Sequence, residues 1–513
     1  VTLLAVLAAT SRELSGSASR LAKVRALAAL LRTLDADEIE TAVLYLAGET
    51  PRARSGLGPA LLQAASAVPA TDESALSILE TDRLLAEVAQ ARGAGSQAAR
   101  TALLAALFAR TTSQERDFLV RLLLGDLRQG ALGGVMVDAI AAASGVPARD
   151  LRRAGMYAGN LGAVARTAVL EGHAPLDRFQ LTILSPVAPM LAQTAADVDA
   201  ALAQLPGEIA FDWKMDGARI QVHRCDDVVR VYTRNLNEVT AAVPEIAETV
   251  RALPVRDLIL DGEAIAYTAG GRPHPFQVTM RRFGRRLRVA ESRERLPLQA
   301  YFFDCLRLEG ATLVDRPARE RFAALASALP EALQIPRLIT REAAEARAFY
   351  ERALAAGHEG VMAKALDATY EAGNRGASWL KIKRAHTLDL VVLAAEWGHG
   401  RRTGRLSNLH LGALDTETGE YVMLGKTFKG LTDAMLEWQT RELLAREVAR
   451  DAGTVFVRPE LVVEIAFSDL QESPRYPGGL ALRLARVKRY RDDKRAEEAD
   501  TMTTVREVFE SQG

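Results

Sequence analysis

The chain has 513 residues, of which 49% are hydrophobic, 25% charged and 5% aromatic. That composition excludes a largely disordered or fibrous chain, and the length allows two to four domains of roughly 100–200 residues each. The 65 basic and 65 acidic residues cancel, so any nucleic-acid-binding surface must be local. Lysine supplies nine of those basic residues (Lys23, Lys214, Lys364, Lys381, Lys383, Lys426, Lys429, Lys488 and Lys494) and arginine the other 56. With arginine as the general cation, each lysine asks for a local reason.

Cys225 and Cys305 are the two cysteines, too few for a four-thiolate zinc site and suited to a reducing compartment. The seven histidines are scattered without ligand spacing, and no apolar run reaches the roughly 18–20 residues of a membrane span. The apolar start, Val1 to Thr10, lacks a basic leader and is broken by Ser11-Arg12-Glu13, which predicts a first helix rather than a signal peptide. A cytoplasmic protein without membrane attachment is expected.

Up to about residue 175 the sequence is rich in Ala, Leu and Arg with apolar residues at helical spacing, which predicts an all-α domain over 1–175. Thr112 and Glu115 form a capping-box pattern before Phe118, Leu119, Leu122 and Leu123, and Ser144 to Pro147 introduces a helix before Leu151. Glu171 to Met190 holds Gly172, Pro175, Pro186 and Pro189 and reads as a linker.

Period-two segments follow. Arg219 to Arg224 and Val228 to Thr233 flank the turn Cys225-Asp226-Asp227, the pattern of an antiparallel hairpin. Leu258–Leu260 and Tyr301–Phe303 read as buried strands, with helices over Val243–Leu253 and Glu342–Ala356. This α+β texture extends over 176–384. From 385 to 513 short strands (Leu388–Ala394, Leu409–Leu414, Tyr421–Leu424, Leu461–Phe467) alternate with Gly-containing turns. A helical stretch near Thr432–Arg450 and a terminal helix from Thr501 complete the region. About five strands in this span fit a small Greek-key β-barrel of the OB-fold type.

The chemistry gathers in the middle region. Lys214, in Phe211-Asp-Trp-Lys-Met-Asp-Gly-Ala-Arg219, has apolar neighbours Phe211, Trp213 and Met215. Desolvation there predicts a lowered pKa and a neutral nucleophilic amine. Taken alone, a K-x-D-G segment is equally well a surface turn with a solvated lysine. Leu260-Asp-Gly-Glu263 ends a strand in two carboxylates suited to a hard cation or a ribose hydroxyl. Glu359-Gly-Val-Met-Ala-Lys364 sets a carboxylate and a lysine at opposite ends of one strand. In Trp379-Leu-Lys-Ile-Lys383 alternation directs Lys381 and Lys383 to one face, where an anion such as phosphate would relieve their repulsion.

These segments, in this order, resemble the covalent nucleotidyltransferase superfamily. Within it the chain resembles the three-domain ATP-dependent DNA ligases of archaea, eukaryotes and actinobacteria, and the similarity spans essentially its whole length. The resemblance implies a helical DNA-binding domain, an adenylation domain and an OB-fold domain. It implies ATP as co-substrate, Mg²⁺ (or Mn²⁺), and nicked double-stranded DNA as partner. Replication and repair proteins are further partners on this view, and the enzyme is a monomer.

Residue by residue, the resemblance makes Lys214 the nucleophile that becomes lysyl-AMP and puts Asp212, where the family usually has Glu, near the adenine amino group. Phe303 would stack on adenine, and Arg219 and Arg234 would contact ribose or the nick phosphate. Glu263 would meet ribose or metal, and Glu359 metal. Arg375 would lie near the nucleotide, Lys381 and Lys383 on the α-phosphate, and Asp216, Asp261 and Asp304 in structural or DNA-orienting roles. Arg489, Arg491, Asp493 and Lys494 form the motif that orients pyrophosphate; Leu484-Ala485 replaces an aromatic-proline pair common in relatives. DNA phosphates would be met by arginines such as Arg121, Arg128, Arg152 and Arg153, each equally at home on a solvated helix face, and by the cluster Arg281–Arg288. Competing readings are an RNA ligase or capping-type nucleotidyltransferase, which usually lack the helical region, and a non-catalytic DNA-repair scaffold, which would not need the lysine and carboxylate set. A NAD⁺-dependent ligase would need a zinc module that two cysteines cannot supply.

Overall fold

The computed structural model describes residues 1–50, 57–91, 93, 95–127, 129, 132–284, 288–371, 375–384, 386–399 and 402–510, without the side chains of residues 132, 375 and 376. Arg128, the Arg375 side chain and residues 285–287 of the arginine cluster therefore lie outside the described residues. The N-terminal region is helical from Leu4–Gly16 to Leu161–Glu171. The helix Ser113–Leu124 shows how sequence sets its limits. Thr112 and Glu115 form the reciprocal capping box, and Gly125 ends the helix at φ 71°. Its apolar stripe, Phe118, Leu119, Leu122 and Leu123, joins one core shared with Leu4, Leu7, Tyr45, Phe108 and Ile140.

The segment expected as a linker is a packed strap. After the 3₁₀ turn Ala174–Arg178, it buries Leu181, Val187 and Met190. Its Leu184 N–H donates to His223 Nδ1 at 3.1 Å, and Val187 N–H donates to Gln221 Oε1 at 2.8 Å. Beyond that turn side chains of the neighbouring sheet, rather than a strand partner, satisfy the backbone of Leu184 and Val187.

Ten strands follow: β1 (Leu191–Thr194), β2 (Ile209–Lys214), β3 (Ala218–Cys225), β4 (Val228–Thr233), β5 (Asp257–Ala266), β6 (Leu298–Leu308), β7 (Ala311–Thr312), β8 (Arg337–Thr340), β9 (Gly360–Ala365) and β10 (Arg375–Lys383). They form two five-stranded sheets, ordered β1-β10-β9-β2-β8 and β4-β3-β5-β6-β7. Alternation gives each sheet one face for its own core. Ile209, Phe211, Val361, Ala363, Leu380 and Ile382 face the helices Val198–Gln204 and Ala343–Ala355, whereas Ile220, Val222, Leu258 and Leu260 form the second sheet's core. The opposite faces share a layer of Met190, Met215, Ile259, Ile265, Phe303, Tyr370 and Trp379. The polar residues of interest flank that layer.

The C-terminal region adds β11 (His386–Trp397), β12 (Leu406–Leu414), β13 (Tyr421–Thr427), β14 (Glu447–Arg450), β15 (Thr454–Val457), β16 (Val462–Phe467), β17 (Asp469–Glu472), β18 (Leu480–Arg483) and β19 (Arg486–Tyr490). The long β11 pairs with β12 on one side, and with β15 and β16 at successive stretches of the other. The expected helix near 432–450 stops at Ala445, because Glu447–Arg450 pairs with β15 as a strand. The expectation of about five strands also falls short, since the four-residue strands carry too little alternation to be seen alone. No helix among the described residues is long and apolar enough to cross a membrane.

Candidate active site

Lys214 ends β2, on the face opposite Phe211 and Trp213. Two glycines bring its surroundings close. At Gly217 an added Cβ would lie 2.4 Å from the Ala264 carbonyl oxygen, so only glycine lets the turn after Lys214 lie against β5. Gly360, at φ 138°, would place a Cβ 2.2 Å from the Ile382 carbonyl oxygen. It pairs across β9 with both Lys214 and Lys383, so Glu359 emerges between two lysines. Its carboxylate joins them: Oε2 pairs with Lys214 Nζ and Oε1 lies 2.6 Å from Lys383 Nζ.

The structure corrects the expected state of the nucleophile. Burial does push the Lys214 pKa down, but Glu359, Glu263 and Asp216 together outweigh it and hold the pKa above the ordinary lysine value. Lys214 is therefore a paired ammonium in this state. Burial resists the charge of Glu359, yet Lys214 and Lys383 pull its pKa down to about 2. The two other carboxylates are less well paired. Burial raises Glu263 to about 8 against the pull of Lys214 and Arg219, and burial with the Glu359 charge raises Asp216 to about 6.

Asp212, two residues before Lys214 on the same face, is fully committed inside the protein. It accepts from Arg337 Nε at 2.6 Å and Nη2 at 2.8 Å, and Lys364 Nζ lies 2.6 Å from its Oδ2. The Lys364 ammonium sits 4.4 Å from the Phe303 ring centre and 4.3 Å from that of Trp379. Arg337 lies 3.4 Å above the Phe322 ring. Phe303 is thus flanked by the Lys364 ammonium and by the edge of Trp379, whose Nε1 is buried without a hydrogen-bond partner. Arg337, Lys364 and Trp379 were given no site role from the sequence. Arg337 in particular has no local signal, because it meets Asp212 across the β2–β8 register.

Arg219 forms a third group. It grips Asp261 through Nε at 3.0 Å and Nη2 at 2.6 Å, while Tyr370 Oη donates to the same carboxylate at 2.7 Å. Its guanidinium lies 5.5 Å from the Phe303 ring centre. Asp304 is a buried anchor for Arg321, at 2.8 and 3.1 Å.

Lys381 and Lys383 share the face of β10 opposite Leu380 and Ile382. Arg234 stands exposed beyond β4. Arg489, Arg491, Asp493 and Lys494 lie in the C-terminal region, paired with Glu464, Asp389 and one another rather than with the Lys214 group. That region reaches the site through Arg483, which the sequence did not single out. Its Nη1 lies 3.0 Å from Asp469 and 3.5 Å from Asp216.

The assembled features are a half-buried lysine on a strand end, carboxylates around it, a second lysine sharing one of them, and an aromatic ring in the layer that holds the next residue, Met215. They suit nucleophilic attack at a phosphorus atom beside a stacked base. Among the described residues no three His, Cys, Asp or Glu side chains form a ready-made metal site.

Comparison with known proteins agrees with this chemistry. Residues 64–141 match the family "DNA ligase N terminus", 189–383 "ATP dependent DNA ligase domain" and 402–494 "ATP dependent DNA ligase C terminal region". A "Probable DNA ligase" of Anaeromyxobacter sp. (strain Fw109-5) is 60% identical over 511 residues, covering 99% of this chain and 98% of its own. A "Probable DNA ligase" of Mycolicibacterium gilvum (strain PYR-GCK) is 53% identical over 510 residues, covering 99% of each chain. The solved structure "Pmar-Lig_Pre." is similar in fold, with a TM-score of 0.60 at 19% identity over 95% of this chain and 99% of that one.

Proposed function

The chain belongs to the ATP-dependent DNA ligase family, and from that premise we propose that it seals 3′-hydroxyl/5′-phosphate nicks in duplex DNA through lysyl-AMP at Lys214. The observation that carries the assignment is the Lys214–Glu359–Lys383 chain, with Phe303 in the layer that holds Met215, the residue after Lys214. In this reading residues 1–175 grip DNA, 176–384 carry adenylation and 385–513 form an OB-type barrel. The enzyme works in the cytoplasm as a monomer, in DNA replication, repair or recombination.

Three displacements follow. Lys214 Nζ, once deprotonated, bonds to the α-phosphorus of ATP as the bond to the bridging oxygen breaks and pyrophosphate leaves. A 5′-phosphate oxygen of the nick then takes the AMP and returns the amine. The 3′-hydroxyl attacks that 5′-phosphorus, loses its proton and expels AMP. Each step builds charge on phosphate oxygens, so fixed cations in a water-poor cleft lower the barrier. Lys381 and Lys383 supply them, Phe303 holds the base, and Arg219 borders the ribose side. Glu359 keeps Lys214 protonated at rest, so drawing that carboxylate away is what frees the amine.

Glu263 and Glu359 fit Mg²⁺ or Mn²⁺. Both are hard oxygen donors, and burial and neighbouring acids leave Glu263 raised to about 8, a penalty that a cation would relieve. Mg²⁺ binds through one or two carboxylates plus substrate phosphates, the donor set offered here. When bound, the ion supplies positive charge to the phosphate oxygens.

The test is incubation with labelled ATP, GTP or NAD⁺ and Mg²⁺ followed by denaturing electrophoresis. Label from ATP on the parent chain and none on Lys214→Arg is the expected result. A covalent adduct persisting on that variant overturns the assignment, and label from GTP or NAD⁺ alone redirects it to a capping enzyme or a NAD⁺-dependent ligase.

A further inference from the structure

The four residues of the pyrophosphate motif lie on the outer face of the C-terminal sheet, and two acids there determine where they sit. Asp389 on β11 and Glu464 on β16 are direct cross-strand partners. Leu388, Leu390, Val463 and Ile465 on either side point into the barrel core, so both carboxylates project outward together. Like charges directly opposite one another destabilise a strand pair, and this pair is met by four cations from one short segment.

Glu464 lies 3.2 Å from Lys488 Nζ and 2.8 Å from Arg489 Nε. Asp389 Oδ2 takes both Arg491 Nη1 at 2.6 Å and Lys494 Nζ at 2.7 Å. Asp493 then grips the other two nitrogens of Arg491, at 2.8 and 2.6 Å. The backbone follows the same path: Arg491 N–H donates to the Val462 carbonyl at 2.9 Å, and Asp500 N–H donates to that of Asp389 at 2.8 Å. Ala496 and Ala499 close over Val391 and Val462 on this face.

We propose that Asp389, with Glu464, is a positioning residue for adenylylation: the acid pair fixes the spacing of Arg489, Arg491 and Lys494 so that they meet the pyrophosphate leaving group as one rigid array. The proposal rests on the ligase assignment and on the motif's part in the first displacement. Four long cationic side chains repel one another and lose much rotamer freedom on binding a polyphosphate. Holding them on two carboxylates offsets that repulsion and orders them beforehand. The carboxylates stay bound to the sheet and touch no substrate. Nick chemistry after adenylylation has no pyrophosphate to orient, so the effect belongs to one step.

Asp389→Asn and Glu464→Gln are compared with the parent in three assays. These are lysyl-AMP formation from ATP, AMP release from the adenylylated enzyme by inorganic pyrophosphate, and joining of a nicked duplex that already carries 5′-AMP. In Asp389→Asn the first two rates are expected to fall by at least about tenfold, as loss of alignment does, with joining within about twofold of the parent. Asp389→Glu restores part of the loss. Equal loss in all three assays, or none in the first two, overturns the proposal. Should Asp389→Asn fail to fold, Glu464→Gln decides: it leaves the Asp389 pairs intact, and unchanged pyrophosphate-driven release overturns the proposal. A parent chain that takes no label from ATP would instead refute the ligase assignment.

Discussion

At the scale of single residues, the site is governed by which carboxylate each lysine meets. Glu359 pairs with Lys214 and Lys383 at once, so Glu359→Gln leaves two partly buried ammonium groups facing an amide. The amine would lose the partner that keeps it protonated, but the site would also lose the spacing of Lys214 and Lys383 and, on the proposed reading, a carboxylate that holds the divalent cation. The second loss dominates, and the rate of enzyme–AMP formation is expected to fall by about 10²-fold, as misplacement of reacting groups does. Single-turnover labelling with ATP checks this, and a rate within threefold of the parent would separate Glu359 from the chemistry. Asp212 differs, because its partners Arg337 and Lys364 are cations packed on the Phe322 and Phe303 rings. Asp212→Ala strands both, and breaking a buried pair by removing one partner costs about 3–5 kcal/mol. Urea unfolding should show that loss, while Asp212→Asn, which can still accept from Arg337, should lose less.

At the scale of elements, the strap over β3 depends on one buried histidine. His223 accepts from the Leu184 N–H and meets Gln221 Oε1 at 2.8 Å, an arrangement that suits the neutral ring. Burial, with Arg230 nearby, lowers its pKa to about 3. In the unfolded chain the ring titrates near 6.5, so between about pH 6.5 and 3 the unfolded state holds the extra proton. Stability from this group is complete above pH 6.5 and is lost as the pH falls, by up to about 1.4 kcal/mol per pH unit. His223→Gln should be less stable than the parent at pH 7.5 and show a shallower decline in melting temperature from pH 6.5 to 4. A parallel decline would assign the acid sensitivity to other groups. The same strap marks where the sequence was legible and where it was not. Alternation revealed β3, β4 and the face shared by Lys381 and Lys383, because period-two burial is written locally. The prolines and glycine of residues 171–190 read as a linker and concealed burial, which comes from Gln221, His223 and Tyr232 more than thirty residues away. Glu447–Arg450 reads as helix by composition and becomes strand only through β15. Lys214, Glu263, Glu359 and Lys383 could be picked out by ordered motifs, whereas Arg337, Asp389 and Arg483 act across strand registers or between domains and leave no local signature.

At the scale of the whole molecule, the C-terminal region meets the Lys214 site, among the described residues, through few polar contacts. Arg483 spans Asp469 and Asp216, its guanidinium lies 4.9 Å from the Phe276 ring, and Gln277 hydrogen-bonds Gln471. Partly exposed ion pairs of this kind contribute about 0–1 kcal/mol each, so the docked arrangement is shallow and other orientations are within thermal reach. Asp216 weakens the contact further, since burial beside Glu359 raises its pKa to about 6. In the docked arrangement Arg489, Arg491 and Lys494 are occupied by Glu464 and Asp389, away from Lys214. On the proposed reading, orienting pyrophosphate demands that the region turn, and the Arg483 contact must break as it does. Arg483→Ala removes a restraint on that turn without touching the array. Lysyl-AMP formation is expected to stay within about threefold of the parent or to rise, and joining of a nick that already carries 5′-AMP to change by no more than about fivefold, because the loss of a weak contact shifts a population by no more than its own free energy. Small-angle scattering should show a larger radius of gyration for the variant, as should the parent on moving from low to high salt, where screening weakens the pair. Equal scattering curves together with parallel losses in both assays would mean that Arg483 supports the adenylation site itself rather than the docking of one region on another.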